Sequence, residues 1–301
     1  MTVRIGTAPI SWGACEIPQW GDQLPYGRVL DEMHQTGYVG TELGPWGYLP
    51  TDATTLRREL DARALALAGA FCPVTLHDPA RRDDALDTAR ETIGLLADLR
   101  APVLVLADAG SDLRAAIAGR VPSDGSASFG DDEWARFCDG VNEIAQVARD
   151  GGLVTAFHPH VASFIEAPHE IEMLLDQTDA DLVGLCLDTG HIAYGGGDVA
   201  DIARRHARRI RHVHLKDVRD DVRASAVARG IEFRDAVGED VFAPLGEGSC
   251  DLRGVLDALG AAGYSGWLIV EQDVRLGVSR RADPKADAKR SRAYLREAIG
   301  G

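Results

Sequence analysis

The residues that most directly suggest chemistry stand in the stretch from Asp181 to Gly197, which reads DLVGLCLDTGHIAYGGG. Its apolar part, residues 182–187, has the length and continuous apolar character of a strand buried on both faces. Asp188 and His191 follow directly, so both side chains can enter one cavity beyond the end of that strand. The same Asp-Thr-Gly-His sequence also suits a plain helix N-cap, in which Asp or Thr caps and Gly allows the turn. The stretch alone leaves both interpretations open.

Carboxylates, imidazoles and a lysine occur at the ends of five apolar runs that we predict to be strands. These residues are Glu42, His158, His160, Asp188, His191, His214, Lys216 and Glu271. Any one of them alone would be an ordinary cap or loop residue. Their coincidence at five strand ends favours a shared functional site.

A set of carboxylate and imidazole ligands without a thiolate cluster suits Mn²⁺, Co²⁺, Fe²⁺, Mg²⁺ or Zn²⁺. Asp188, His214 and Glu271 follow the sixth, seventh and eighth predicted strands, so they could meet at one ion and leave positions open for substrate. A fourth ligand should come from the fifth strand or the loop after it, where His158 and Glu166 are the candidates.

The elements that must position these residues are eight predicted strands, each followed by a predicted helix. The strands are Val3–Ala8, Val39–Leu43, Leu65–Cys72, Val103–Ala107, Leu153–Phe157, Leu182–Leu187, Ile210–Leu215 and Trp267–Val270. The helices are Tyr26–Gly37, Ala53–Ala64, Arg81–Leu99, Asp131–Asp150, Pro168–Leu175, Val199–Arg208, Leu252–Gly263 and Pro284–Ala298.

Strands that alternate with helices predict parallel βαβ units, and eight such units close a barrel. We therefore predict an α/β fold, a (β/α)₈ TIM barrel, with residues 1–301 forming one domain. An open doubly wound sheet would require a glycine-rich phosphate loop after the first strand, and the sequence has none there. Two irregular segments, Asp108–Gly130 and Val218–Ser249, follow the fourth and seventh strands, so we expect them to lie over the mouth of the site.

The amino-acid composition limits the kinds of molecule that the protein is expected to bind. The net charge of −15 and the pI near 5.0 argue against nucleic acid or an anionic membrane, because either would require a basic face. The five scattered cysteines form no CxxC pair, and no apolar run approaches the length of a membrane span. We predict a cytoplasmic protein that acts on a small molecule.

Seven motifs together resemble a known family. They are TAPISWG (7–13), GYVGTELGPWGY (37–48), FHPHVASFIEAPHEI (157–171), LDTGH (187–191), HVHLKDV (212–218), PLGEGSCD (244–251) and LIVEQD (268–273). LDTGH, HVHLKDV, PLGEGSCD and LIVEQD resemble the xylose-isomerase-like TIM barrel superfamily. The other three resemble its inosose dehydratase branch, which acts in inositol catabolism.

The resemblance implies where the metal and the substrate bind. It places Asp188, His214 and Glu271 at the divalent metal, and it favours Glu166 over His158 as the fourth ligand. Mn²⁺ and Co²⁺ are the metals we expect first. The resemblance also places His191 and Lys216 against substrate oxygens.

Further substrate contacts are expected from the strand ends and the first two loops. Glu42 and His160 are the candidates at the strand ends. Trp12 and Trp46, with Trp20, are the candidates for a pocket wall. Since the superfamily often pairs its barrels, a homo-oligomer is compatible with the resemblance.

The implied reaction is the dehydration of a keto-inositol or a related cyclic polyol ketone through an enolate that a metal stabilises. Glu271 or Glu166 would take the α-proton, and His191 or His158 would protonate the leaving hydroxyl. A sugar isomerase or 3-epimerase is the alternative, because it uses the same chemistry without losing water. Two other classes are less favoured. An abasic-site endonuclease would require a multi-metal cluster and a basic groove, which the net charge of −15 argues against. A non-catalytic sugar-binding barrel would not require these acidic and basic groups to converge.

Overall fold

The computed structural model describes residues 2–300, in which eight parallel strands close into a barrel. Numbered along the chain, the strands are β1 Thr2–Thr7, β2 Gly40–Glu42, β3 Ala66–Val74, β4 Val103–Asp108, β5 Val154–Phe157, β6 Val183–Asp188, β7 Ile210–Leu215, β8 Asp217–Val218, β9 Phe242–Ala243 and β10 Ser265–Val270. β8 and β9 form a separate antiparallel pair, and the other strands follow the order β1-β10-β7-β6-β5-β4-β3-β2 around the barrel. β1 closes the ring by pairing with both β10 and β2. The barrel predicted from the sequence is confirmed.

Helices connect the strands and surround the barrel. They are α1 Tyr26–Gln35, α2 Ala53–Asp61, α3 Arg82–Leu99, α4 Asp112–Ala116, α5 Asp131–Asp150, α6 Pro168–Gln177, α7 Thr189–Tyr194, α8 Val199–Arg205, α9 Asp220–Arg229, α10 Phe233–Gly238, α11 Leu252–Ala261 and α12 Pro284–Gly300. Short 3₁₀ helices lie at Pro9–Trp12 and Pro79–Arg81. Among residues 2–300, no helix combines the length and the apolar character needed to cross a bilayer.

β4 shows why continuous apolar runs form these strands. All six of its residues are buried. Leu104 and Leu106 pack into the main core with residues of the surrounding helices, whereas Val103 and Val105 belong to a cluster with β5 and β6 residues. Alternate side chains of a strand point to opposite faces, so a strand enclosed on both faces needs apolar residues at every position.

A buried ion pair fixes the long segment after β4. Within this segment, which contains α4, both terminal nitrogens of Arg114 donate to the two carboxylate oxygens of Glu170 in α6, at 2.7 and 2.8 Å. Neither side chain is exposed to solvent. Residues 108–115 of the segment include part of the lining of the main cavity, as expected from the sequence.

The segment after β7 is ordered around one carboxylate. It contains α9, α10, β8 and β9, and the side chain of Asp217 turns towards the loop that follows β9. Oδ1 accepts hydrogen bonds from the backbone N–H groups of Val218 and Cys250, both at 3.0 Å. Oδ2 accepts from those of Gly246 and Gly248, at 2.9 and 3.0 Å. One buried carboxylate therefore satisfies backbone donors on both sides of the loop.

We expect Asp217→Ala to lower the free energy of unfolding by roughly 1–3 kcal/mol, because the buried N–H of Val218 loses its acceptor, whereas the N–H groups of Gly246 and Gly248, on exposed residues, can bond to water instead. Urea unfolding measures the change. Asp220→Ala, at an exposed carboxylate three positions along, is the control, and it should change stability by about 0.5 kcal/mol or less. Equal stability of the two variants would contradict this role of Asp217.

Candidate active site

A cavity of about 660 Å³ opens at the carboxyl ends of the barrel strands. This is the face on which TIM barrels carry their sites. All the polar strand-end residues identified from the sequence line the cavity except Asp188, which is buried directly beside them. The structure therefore brings these eight residues together.

Asp188 combines the two roles that the sequence left open. Its Oδ1 accepts from the backbone N–H of His191 at 2.8 Å and so caps α7. Its Oδ2 lies 3.3 Å from His158 Nε2, 3.5 Å from His214 Nδ1 and 3.6 Å from Lys216 Nζ. Burial alone would raise the pKa of Asp188, but Lys216 and His191 hold it well below its ordinary value. Asp188 is thus an anionic cap whose second oxygen faces the cluster.

Gly190, the glycine of the Asp-Thr-Gly-His motif, allows α7 to lie close to the end of β7. A Cβ atom at Gly190 would lie 2.5 Å from Lys216 Cβ, closer than two carbon atoms can pack. Only glycine therefore lets α7 lie this close to the end of β7.

Asp188, His214 and Glu271 present one ligand atom each within 4.8 Å of one another. Asp188 Oδ2 and His214 Nδ1 are buried and have no hydrogen-bond partner, and Glu271 Oε2 lies 3.4 Å from the same His214 nitrogen. Buried polar atoms are rarely left unpaired, so two converging ones with this donor chemistry fit a divalent cation. Burial lowers the pKa of His214, but Cys186, Glu271 and Glu42 raise it well above its ordinary value, so a proton and a cation compete for this nitrogen.

The two candidates for a fourth ligand lie in different surroundings. His158 is buried next to the cluster, with Nε2 near Asp188. The carboxylate of Glu166 instead accepts from the backbone N–H groups of Gly119 at 2.6 Å and Ala162 at 2.7 Å. It joins the loops after β4 and β5. The role of Glu166 as a metal ligand and base therefore remains a prediction, and in this structure each of its oxygens accepts a backbone hydrogen bond.

Lys216 and His191 lie at the centre of a buried polar network. Lys216 Nζ lies 3.0 Å from His191 Nε2, 3.1 Å from Glu271 Oε2 and 2.8 Å from Asp273 Oδ1. Burial lowers the pKa of Lys216, but Asp188, Asp273 and Glu271 raise it well above its ordinary value, so the amine is an ammonium.

The imidazoles of His191 and His160 are neutral. Burial, with the positive charge of Lys216, lowers the pKa of His191 well below its ordinary value. Burial, followed by His158 and Lys216, lowers the pKa of His160 to about 3. His191 Nδ1 accepts from the backbone N–H of Val161 at 3.2 Å, and its Nε2 lies 3.0 Å from Lys216 Nζ.

The three tryptophans predicted to form a pocket wall lie in different surroundings. Trp20 lines the cavity and donates to the backbone oxygen of Val274 at 2.8 Å. Trp12 does not line it: its ring packs in the main core and its Nε1 donates to Glu32 at 2.8 Å. Trp46 is half exposed and also lies outside the cavity lining. The predicted wall positions of Trp12 and Trp46 are therefore corrected.

Two polar residues of the site were missed from the sequence. Asp273, two positions after Glu271, contacts Lys216, and His212, two positions before His214, contacts Glu42. The alternation of strand side chains was the available signal, since residues two apart share a face. Glu42, which we expected to bind substrate, places Oε1 2.7 Å from His212 Nε2 and 2.9 Å from His214 Nε2.

The fold agrees with the comparison of the sequence with known families. Residues 19–298 match the xylose isomerase-like TIM barrel family, and the chain belongs to it.

The more specific resemblance to the inosose dehydratase branch is also confirmed. The inosose dehydratase of Geobacillus thermodenitrificans is 32% identical over 99% of this chain and 98% of its own length. The rhizopine catabolism protein MocC of Rhizobium meliloti is 36% identical over 91% of this chain and 82% of its own. A solved structure of the IOLI protein with a bound zinc atom is similar in fold alone, with a TM-score of 0.72 and 14% identity over 99% of this chain and 98% of that one.

The buried position of Glu166 predicts that the stability of the fold depends on pH. Burial raises its pKa to about 7 from an ordinary value near 4.5, while the hydrogen bonds from Gly119 and Ala162 oppose the shift. The folded state therefore holds this proton more tightly than the unfolded state, and the carboxyl group costs stability as pH rises from about 4.5 to 7.

We expect Glu166→Gln to remove the loss of stability that the buried carboxyl group causes as pH rises. Relative to the unmodified protein, the variant should gain up to about 3 kcal/mol of unfolding free energy between pH 4.5 and 7, at about 1.4 kcal/mol per pKa unit. Denaturant unfolding of both proteins across this range measures the difference. A difference that stays constant with pH would show that the pKa of Glu166 is the same in the folded and the unfolded state.

Proposed function

We propose that this protein is a divalent-metal-dependent dehydratase that removes water from a keto-inositol or a related cyclic polyol ketone. The observation that carries the proposal is the cluster of Asp188, His214 and Glu271 in the buried wall of a cavity of about 660 Å³. The choice of substrate is supported by relatives of nearly equal length that are named inosose dehydratase.

Asp188, His214 and Glu271 would hold the ion, and His158 is the nearest further donor. Mn²⁺ and Co²⁺ suit this mixed oxygen and nitrogen set, and Mg²⁺, Fe²⁺ and Zn²⁺ are compatible with it. When bound, such an ion supplies a Lewis acid that stabilises the negative charge of an enolate oxygen, worth several kcal/mol.

The side chains around the cavity would carry out the proton transfers of the dehydration. Glu271 lines it and can take the α-proton of the ketone with its carboxylate. The electron pair of that C–H bond first forms the enolate, and it then becomes the new carbon–carbon double bond as the carbonyl re-forms and the bond from the β-carbon to its hydroxyl breaks. His191 or His158 passes a proton to the departing hydroxyl, which leaves as water, and the proton that Glu271 took from carbon replaces the one that the imidazole gave up.

Lys216 binds and orients the substrate in this scheme. Its ammonium group can donate hydrogen bonds to a substrate oxygen but cannot ligate a metal. The contacts with Glu271 and Asp273 fix the position of Nζ, so the donor is oriented before the substrate arrives.

The same groups would give an isomerase or 3-epimerase if the proton returned to carbon before the hydroxyl left. The products separate the two reactions, because dehydration loses one water and forms a conjugated, absorbing dione, whereas isomerisation conserves mass.

We expect Asp188→Ala, His214→Ala and Glu271→Ala each to abolish stoichiometric binding of Mn²⁺ or Co²⁺, because each removes a ligand. Elemental analysis after dialysis measures the metal content, and a chelator should stop dehydration until Mn²⁺ or Co²⁺ is restored. The matched control is Glu166→Gln, which should keep the metal. Full occupancy in a variant lacking all three ligands would refute the site.

His191→Ala and Lys216→Ala should separate substrate chemistry from metal binding. We expect both variants to keep the metal and to lose turnover of keto-inositol by about a hundredfold or more, the usual scale for a positioned acid or base. Metal content and turnover are measured on the same preparations. Unchanged turnover in Lys216→Ala would rule out its substrate role, and loss of metal from His191→Ala would make His191 a ligand.

A further inference from the structure

Glu42 makes two contacts across the interior of the barrel. It stands at the end of β2, and its Oε1 lies 2.7 Å from Nε2 of His212 and 2.9 Å from Nε2 of His214, both on β7. All three side chains are almost completely buried. One carboxylate oxygen is therefore shared by two imidazoles that are two positions apart on one strand face.

This geometry determines which nitrogens carry protons. A carboxylate can only accept hydrogen bonds, so the Nε2 atoms that face Glu42 must each carry a proton. In His214 this leaves Nδ1 on the other side of the ring, 3.5 Å from Asp188 and 3.4 Å from Glu271. The contact with Glu42 thus selects both the tautomer and the orientation of the ring.

We propose that Glu42 is a positioning residue, which holds His214 with its proton on Nε2 so that Nδ1 is presented to the cation. The inference rests on the metal site of the proposed function. It replaces the expectation that Glu42 binds substrate, and it gives His212 a role as the second donor that fixes the carboxylate.

Two properties of the contact support a positioning role. The negative charge of Glu42 raises the basicity of the imidazole it holds, and outer carboxylates of this kind commonly contribute about 10–100-fold to metal affinity. In addition, His212 donates to the same carboxylate oxygen at 2.7 Å and so holds that oxygen in place for His214.

The test compares the dissociation constants of Zn²⁺ and Mn²⁺ in three variants by competition with a chelating dye. Glu42→Ala removes acceptor and charge, and we expect a loss of affinity of about 10–100-fold. Glu42→Gln keeps an acceptor oxygen without the charge, so its loss should be clearly smaller. Glu166→Gln, also at a buried carboxylate, is the control and should bind both metals as the unmodified protein does.

A nuclear magnetic resonance measurement tests the tautomer without any activity assay. In the zinc-loaded protein labelled with ¹⁵N-histidine, His214 should show a protonated, slowly exchanging Nε2 and a metal-shifted Nδ1. The Nε2 proton should persist in Glu42→Gln and exchange rapidly in Glu42→Ala, and His214→Gln identifies the signal.

The outcomes separate this inference from the function it rests on. Unchanged metal affinity in Glu42→Ala together with a raised KM would make Glu42 a substrate contact and overturn the inference alone. If Glu42→Ala does not fold, the unmodified protein still decides, since a proton on Nδ1 of His214 would overturn it. Failure of the unmodified protein to bind either metal would overturn both this inference and the proposed function.

Discussion

The structure depends on the burial of several carboxylates at one end of the barrel. Glu42, Asp188, Glu271 and Asp273 lie within one cluster, and all four are almost completely buried. Ionised carboxylates are costly to remove from water unless cationic or hydrogen-bonding partners accompany them. His214 and Lys216 supply these partners, because each faces at least two of the carboxylates. The surrounding barrel must therefore hold these acids beside their cationic partners.

The end of β7 shows how one stretch of chain meets this demand. His212 and His214 face the barrel interior, and Lys216 continues on the same side, as residues two apart on a strand do. Asp217, next in sequence, turns away and binds the backbone of the loop after β9. The chemistry of the cavity and the anchoring of its outer wall thus come from adjacent residues.

The sequence predicted the barrel well, because continuous apolar runs at regular spacing are a local signal. It also identified the metal candidates, since parallel strands bring their carboxyl ends to one face. Other assignments depended on contacts distant in sequence. The carboxylate of Glu166, predicted as a ligand, accepts the N–H of Gly119, 47 positions away. The partners of Glu42 lie 170 and 172 positions along the chain, so no local spacing could reveal them.

The position of Trp12 was equally beyond local patterns. Loop residues near a strand end can turn either inward to the cavity or outward to the helices, and composition does not distinguish the two directions. Its indole turned outward, where Glu32 of α1 accepts its N–H. Trp20, eight positions later, lies in the cavity wall.

The ammonium of Lys216 has a consequence for how such a protein is assembled. It lies within 3.6 Å of Asp188, Glu271 and Asp273, so the polypeptide carries its own counter-charge at the most acidic point of its interior. Electroneutrality there does not rest wholly on an ion from solution. The barrel can therefore close around these acids with part of their negative charge already balanced by a residue of its own.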